Sequence, residues 1–107
     1  MFKLSKKEVK EFFESRPRVF YGRLLLLRVI PQKEIKAAFI IGSAVKRNAP
    51  ARNLTRRRMS EIVRTAIPDF KKNFYMTFSY RLKSKKAPSF KDLKDDIIKL
   101  LFACGAL

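Results

Sequence analysis

The sequence predicts one α+β domain in which helices are laid over a single sheet. Segments with the helical spacing of apolar residues alternate with segments rich in β-branched and aromatic residues, and the order is helix, two or three strands, helix, strand, helix. Its 107 residues suit a single domain spanning 1–107. Hydrophobic residues make up 47% of the chain, and ten phenylalanines supply large apolar area for a core.

The first helix is predicted from its start signals. Ser5 and Glu8 have the S-x-x-E spacing of a capping box, in which each side chain accepts from a backbone N–H of the other residue. Pro17 sets the end, because the residue before a proline avoids helical angles. The apolar face of this helix consists of Val9, Phe12 and Phe13.

Three stretches have the composition or the alternation of strands. Residues 18–30 are β-branched, aromatic and aliphatic, and Gly22 divides them into a short strand and a longer one. Residues 36–42 form another strand. Residues 73–82 alternate with period two, which predicts a strand with two distinct faces. One of these faces carries Phe74, Met76, Phe78 and Tyr80, and the other carries Tyr75, Thr77, Ser79 and Arg81.

The remaining two segments are helical. Asn48 and Pro50 open the second helix, since proline is harmless in a first turn, and Pro68 ends it. Ser89 caps the last helix together with Asp92. The inward residues are predicted to be Thr55, Met59, Ile62, Val63 and Ala66 in the second helix and Leu93, Ile97, Leu100 and Leu101 in the last.

The net charge predicts a polyanionic partner. The chain has 26 Lys and Arg against 9 Asp and Glu, which gives +17. A small domain with this charge repels itself unless a polyanion neutralises it. Nucleic acid is the first candidate, because binding releases its condensed counterions, and an acidic membrane surface is the second. General solubility is the remaining explanation of the charge.

Several classes of chemistry and location are excluded or disfavoured. The chain has no histidine and a single cysteine, so imidazole catalysis and His- or Cys-based metal sites are excluded, and we predict no catalytic residue and no metal. Cys104 is the only cysteine, so no internal disulfide is expected, which suits a reducing cytoplasm. Its apolar setting predicts that it is buried. The N-terminus lacks the apolar region of a signal peptide, and no apolar run is long enough to cross a membrane.

The most basic segment is residues 46–64, which predict an RNA-binding helix. On a helical wheel Asn53, Arg57, Ser60 and Arg64 form one stripe, with Arg56 beside it, that points away from the apolar face. Arginine suits phosphate because its planar fork donates two parallel hydrogen bonds. A solvated Arg-rich face is the alternative. The proposed RNA-binding residues are Lys46, Arg47, Arg52, Asn53, Arg56, Arg57, Ser60 and Arg64.

This helix carries a resemblance to a known family. Residues 52–61 closely resemble the "RNR" signature of the bacterial ribonuclease P protein, and the matching positions are Arg52, Asn53, Arg56, Arg57 and Glu61. The resemblance extends to the start of the chain at Lys3-Leu4 and to its end at Ser89-Phe90. Leu54 stands where the family usually has a basic residue, and Ser60 where it often has Arg.

The resemblance implies a fold and a function. The fold is an α-β-β-β-α-β-α two-layer sandwich, ribosomal protein S5 domain 2-like, with a left-handed βαβ crossover. The protein is implied to be a non-catalytic subunit and to bind no cofactor alone. A large RNA subunit with bound magnesium cleaves precursor tRNA, and no DNA or membrane is involved.

The resemblance also implies a cleft between the first helix and the sheet that holds the single-stranded 5′ leader of precursor tRNA. Single strands bind in a positive groove with aromatic faces for stacking. Phe13 lies where the family has a leader-contacting aromatic residue, and Val9 lies one turn before it. We expect Phe39 or Tyr80 to complete this cleft.

Three alternatives stay open at this point. The cluster of Arg81, Lys83, Lys85 and Lys86 is either a second RNA contact or a solvated loop. Asp92, Asp95 and Asp96 share one side of the last helix, where they offset the helix dipole more readily than they bind a cation. A ribosomal or other structural RNA-binding protein and a DNA-binding regulator are the competing functions, although the chain lacks helix-turn-helix spacing.

Overall fold

The computed structural model describes residues 2–45 and 48–107 and confirms the predicted order of elements. The helices are α1 (Lys6–Glu14), α2 (Ala49–Ala66) and α3 (Phe90–Cys104), with a short 3-10 helix at Ile67–Asp69. The strands are β1 (Arg18–Tyr21), β2 (Leu26–Pro31), β3 (Lys36–Ser43) and β4 (Phe74–Leu82).

The four strands form one sheet in the order β1-β2-β4-β3. β2 pairs antiparallel with both β1 and β4, whereas β3 and β4 are parallel neighbours. A parallel pair needs a crossover connection, and α2 lies in the chain between these two strands. The left hand of this crossover stays a prediction.

One face of the sheet, which we call the core face, packs against α2 and α3. The predicted inward residues of α2 and α3 are all buried, as Cys104 is. The strand residues that meet them alternate along the chain as period two requires. They include Leu27, Val29, Ala37, Phe39, Ile41, Met76 and Phe78.

The opposite face, which we call the cleft face, is partly covered by α1. The Nζ of Lys36 lies 2.9 Å from Oε2 of Glu8, and the hydroxyl of Tyr75 lies 3.3 Å from the same oxygen. Phe12 is buried on the side of α1 that faces the sheet, and it lines a small cavity with Ile30 of β2. The helix therefore covers the end of the sheet where β3 and β4 begin, and it leaves the other end of this face open.

The start of α1 is fixed by the predicted capping box. The backbone N–H of Glu8 donates to Oγ of Ser5 at 3.2 Å, and the N–H of Ser5 donates to Oε1 of Glu8 at 2.9 Å. The hydrogen bond from the Ser5 backbone and that from Lys36 hold the pKa of Glu8 at about 2, below its ordinary value of 4.5. The negative charge of Glu8 thus joins the cap of α1 to the sheet.

The turn between β1 and β2 is held by an acid from a distant part of the chain. Asp96 is 5% exposed, and its carboxyl oxygens accept the backbone N–H groups of Arg23, Leu24 and Leu25 at 2.8, 2.9 and 2.9 Å. A Cβ at Gly22 would lie only 2.8 Å from Oδ1 of Asp96, so the close approach requires glycine. Of the three acids weighed as a cation site, Asp96 is therefore used to anchor a turn.

Candidate RNA-binding surfaces

The outward side of α2 forms one wall of a shallow positive groove. The predicted stripe is largely confirmed as a surface, since Asn53, Arg57 and Ser60 lie together with Arg56 beside them. The guanidinium of Arg56 donates to Oδ1 of Asn53 at 3.2 Å, which leaves the Asn53 amide nitrogen free to act as a donor. The groove has a volume of about 470 Å³ and is lined by Lys3, Asn53, Arg56, Arg57, Ser60 and Glu61.

Arg64 belongs to the same helix face but is paired within the helix. Its Nη2 and Nε donate to the two carboxylate oxygens of Glu61 at 2.6 and 3.2 Å. This bidentate bond lowers the pKa of Glu61 and raises that of Arg64. The only acid in the groove wall, among the described residues, is thus neutralised by an arginine at its side.

The other basic residues near the signature have distinct environments. Arg52 is exposed at the start of α2, and its backbone N–H donates to the carbonyl of Asn48 at 3.0 Å. Arg58 donates to the carbonyl of Pro88 at 2.7 Å and is half-buried. Lys46 and Arg47 lie outside the described residues.

The basic loop after β4 is fastened to the beginning of α2. Asn48 is buried, and its side-chain amide donates to the carbonyl of Ser84 at 3.2 Å and to Oγ of Ser43 at 3.0 Å. The Arg58 bond to Pro88 fixes the other end of the same loop. The cluster of Lys83, Lys85 and Lys86 is therefore held beside α2, the helix that carries the RNR-like residues.

A second surface lies where α1 borders the open part of the cleft face. Phe13 is 40% exposed, and the guanidinium of Arg28 lies 5.4 Å from the centre of its ring. The ring also packs edge-on against Phe12 at 5.5 Å, which restricts its orientation. Val9 is half-buried one turn earlier. An aromatic ring and an arginine side by side are the kinds of group with which proteins bind single-stranded nucleic acid.

The expectation that Phe39 or Tyr80 lines this cleft is wrong as to the face of the sheet. Phe39 stacks on Phe78 at 5.8 Å in the buried core. Tyr80 follows Phe78 by two positions and packs against the same core, where burial raises its pKa. Since α1 covers the opposite face, Phe39 lies away from the cleft. Tyr80 also points to the core side, and only at the far edge of the sheet does it line a shallow depression together with Ile40 and Arg81.

The residues that do occupy the open cleft face were missed by sequence reasoning. Tyr21 pairs with Leu26, two positions from Arg28 along β2, and so shares the face of Phe13. It is 82% exposed, which is unusual for an aromatic residue. Ile40 and Arg81 line a shallow depression further across the sheet. The period-two pattern of residues 73–82 already placed Arg81 opposite Tyr80.

Two further findings concern the described residues as a set. No group of three or more His, Cys, Asp or Glu side chains among them is arranged to hold a metal ion. None of their helices is long and apolar enough to cross a membrane.

Comparisons with known proteins concern the family and the fold of the chain. The family model for Ribonuclease P matches residues 3–105. No curated protein sequence matches the chain. The fold is similar to the RNase P protein of Staphylococcus aureus, with 15% identity, a TM-score of 0.75 and coverage of 99% of this chain and 97% of that one. It is also similar to the RNase P protein of Thermotoga maritima, with 15% identity, a TM-score of 0.70 and coverage of 92% and 94%.

Proposed function

The chain belongs to the Ribonuclease P family, and we propose that it is the subunit that binds the catalytic RNA and the 5′ leader of precursor tRNA. In this proposal the RNA subunit, with bound magnesium, performs the endonucleolytic cleavage in the cytoplasm. The protein holds RNA in place and takes no part in bond breaking. The absence of histidine from the sequence and the excess of 26 basic over 9 acidic residues support such a role.

The groove on the outward side of α2 is the observation that carries the proposal. The inner side of α2 is buried in the core, and this packing fixes which side of the helix faces the groove. The outer side of α2 presents the guanidiniums of Arg56 and Arg57 and the amide of Asn53 together. These groups are donors, and the oxygens of a phosphodiester backbone are acceptors. We therefore assign the RNA subunit to this groove.

The leader is assigned to the cleft face. Phe13, held by Arg28 and Phe12, offers a ring for stacking a base, and Tyr21 offers a second ring on the same face. Tyr21 lies beside Leu26 of β2, and Leu26 precedes Arg28 by two residues, which is about 7 Å along the strand. An extended strand of RNA can thus pass from one ring to the other across the guanidinium.

The assignment of α2 is tested by binding of a bacterial ribonuclease P RNA. Arg57→Ala should weaken binding and reduce the slope of log affinity against log salt concentration by about one, because one phosphate contact is lost. Lys99 is an exposed lysine on α3 that does not line the groove, so Lys99→Ala removes the same charge and should leave the slope unchanged. Equal slopes for the two variants would contradict the assignment of α2.

The assignment of the cleft is tested with precursor and mature tRNA. Phe13→Ala in the reconstituted holoenzyme should weaken binding of precursor by about 1–3 kcal/mol, the range for one base stack, and leave binding of mature tRNA unchanged. Phe102→Ala removes an equally large ring that is 62% exposed on α3, and it should affect neither RNA. Equal losses on both tRNAs after Phe13→Ala would refute the leader assignment.

A further inference from the structure

The N-terminal segment is fixed against the edge of the sheet. The N–H of Ala37 donates to the carbonyl of Phe2 at 2.6 Å, and the N–H of Leu4 donates to the carbonyl of Ala37 at 3.0 Å. Lys3 thus forms a parallel bridge with Ala37 on β3. The ring of Phe2 packs edge-on against Phe39 at 6.4 Å and is partly buried on the core. Lys3 is therefore held by its neighbours on both sides, although it is itself exposed.

This anchored segment forms the second wall of the α2 groove. Lys3 lines this groove, and Glu61 is the one acidic residue among the described residues that line it. Arg64 holds Glu61 in a bidentate bond. Three cations therefore line one groove from two different elements, Lys3 from the N-terminal segment and Arg56 and Arg57 from α2. Backbone hydrogen bonds fix one wall and core packing fixes the other, so the arrangement is formed before any ligand binds.

We propose that this groove takes a phosphodiester segment of RNA between its two walls, with Lys3 on one side and Arg57 on the other. The proposal rests on the assigned docking of the RNA subunit to α2, and it adds a contact from outside the helix. Leu54 and Ser60 leave the helix two basic residues short of the usual signature, and Lys3 supplies one positive charge from the opposite wall. Ammonium and guanidinium groups both donate charge-assisted hydrogen bonds to phosphate oxygens.

The test compares four single variants in binding to a bacterial ribonuclease P RNA over a range of salt concentrations. Lys3→Ala should lower the affinity and reduce the salt slope by about one, as Arg57→Ala does, whereas Lys99→Ala should match the wild-type protein. Lys3→Arg keeps the charge and should keep the slope.

A further variant, Phe2→Ala, separates the position of Lys3 from its charge. Phe2→Ala leaves the charge in the chain but removes the ring that anchors the segment, so it should reduce the slope as Lys3→Ala does. Adding Lys3→Ala to Phe2→Ala should then produce no further reduction. A thermal melt of each variant confirms that the domain remains folded before its binding is interpreted.

The outcomes distinguish this inference from the proposed function. If Arg57→Ala weakens binding while Lys3→Ala behaves as Lys99→Ala, the second wall is refuted and the docking of α2 stands. If Phe2→Ala leaves the slope unchanged and Lys3→Ala reduces it, the fixed position of the segment is refuted. If Arg57→Ala also has no effect, both the docking of α2 and the second wall fail.

Discussion

Replacing Asp96 with asparagine should destabilise the protein strongly, because this carboxyl group holds the β1–β2 turn. Its Oδ2 accepts from Leu24 and Leu25, and its Oδ1 accepts from Arg23. In Asp96→Asn one oxygen remains for the first two donors, while the amide nitrogen faces the N–H of Arg23 and cannot accept from it. The substitution thus removes one hydrogen bond and weakens two others from a charged to a neutral acceptor.

The expected loss follows from these three bonds. A hydrogen bond to a charged group contributes about 1.5–3 kcal/mol, and each of the two weakened bonds loses about 1 kcal/mol. A neutral amide is less costly to bury than a carboxylate, so we expect a net loss of roughly 2–4 kcal/mol in the free energy of unfolding. Small domains have a total of about 5–15 kcal/mol, so this is a large fraction.

Urea unfolding followed by far-ultraviolet circular dichroism measures this loss. Asp95→Asn removes an exposed acid from the adjacent position of α3 and should change the free energy of unfolding by less than about 0.5 kcal/mol. A loss below about 1 kcal/mol in Asp96→Asn would refute the anchoring role of this residue.

Two other predictions concern the turn and the first helix. Gly22→Ala places a Cβ 2.9 Å from Cγ of Asp96 and should cost about 1–3 kcal/mol in urea unfolding, whereas Gly42→Ala, whose Cβ meets its nearest atom at 3.9 Å, should cost less than about 0.5 kcal/mol; similar losses would contradict the close approach. The pKa of Glu8, about 2 in the folded protein against an ordinary 4.5, means that its contribution to stability is present above pH 4.5 and is lost as the pH falls toward 2. Glu8→Gln should therefore be less stable than the wild-type protein at pH 7, with the difference vanishing near pH 2, and parallel pH profiles would contradict this reasoning.

The local signals in the sequence were sufficient to predict the elements and the inward side of each helix. The Ser5–Glu8 capping box depends on a spacing of three residues, and both of its hydrogen bonds are formed. The buried side of α2 follows from helical periodicity, and residues from Thr55 to Ala66 obey it. Such features are set by neighbours along the chain, which a sequence displays directly.

The features that were missed depend on contacts between distant segments. Period two placed Tyr80 with Phe78, but it could not tell which face of the sheet α1 would cover. Asp96 resembled an acid that offsets the dipole of α3, because its partners lie more than 70 residues away in the β1–β2 turn. Lys3 lies beside α2 only because the N-terminal segment pairs with β3.

Reconstitution of the holoenzyme tests whether this protein assists an RNA catalyst in removing the 5′ leader. The protein is mixed with a bacterial ribonuclease P RNA and precursor tRNA at a low magnesium concentration, and the release of the leader is measured against that by the RNA alone. We predict that the protein increases the rate of leader cleavage and that the protein without the RNA cleaves nothing. An unchanged rate, or cleavage by the protein alone, would contradict the claim.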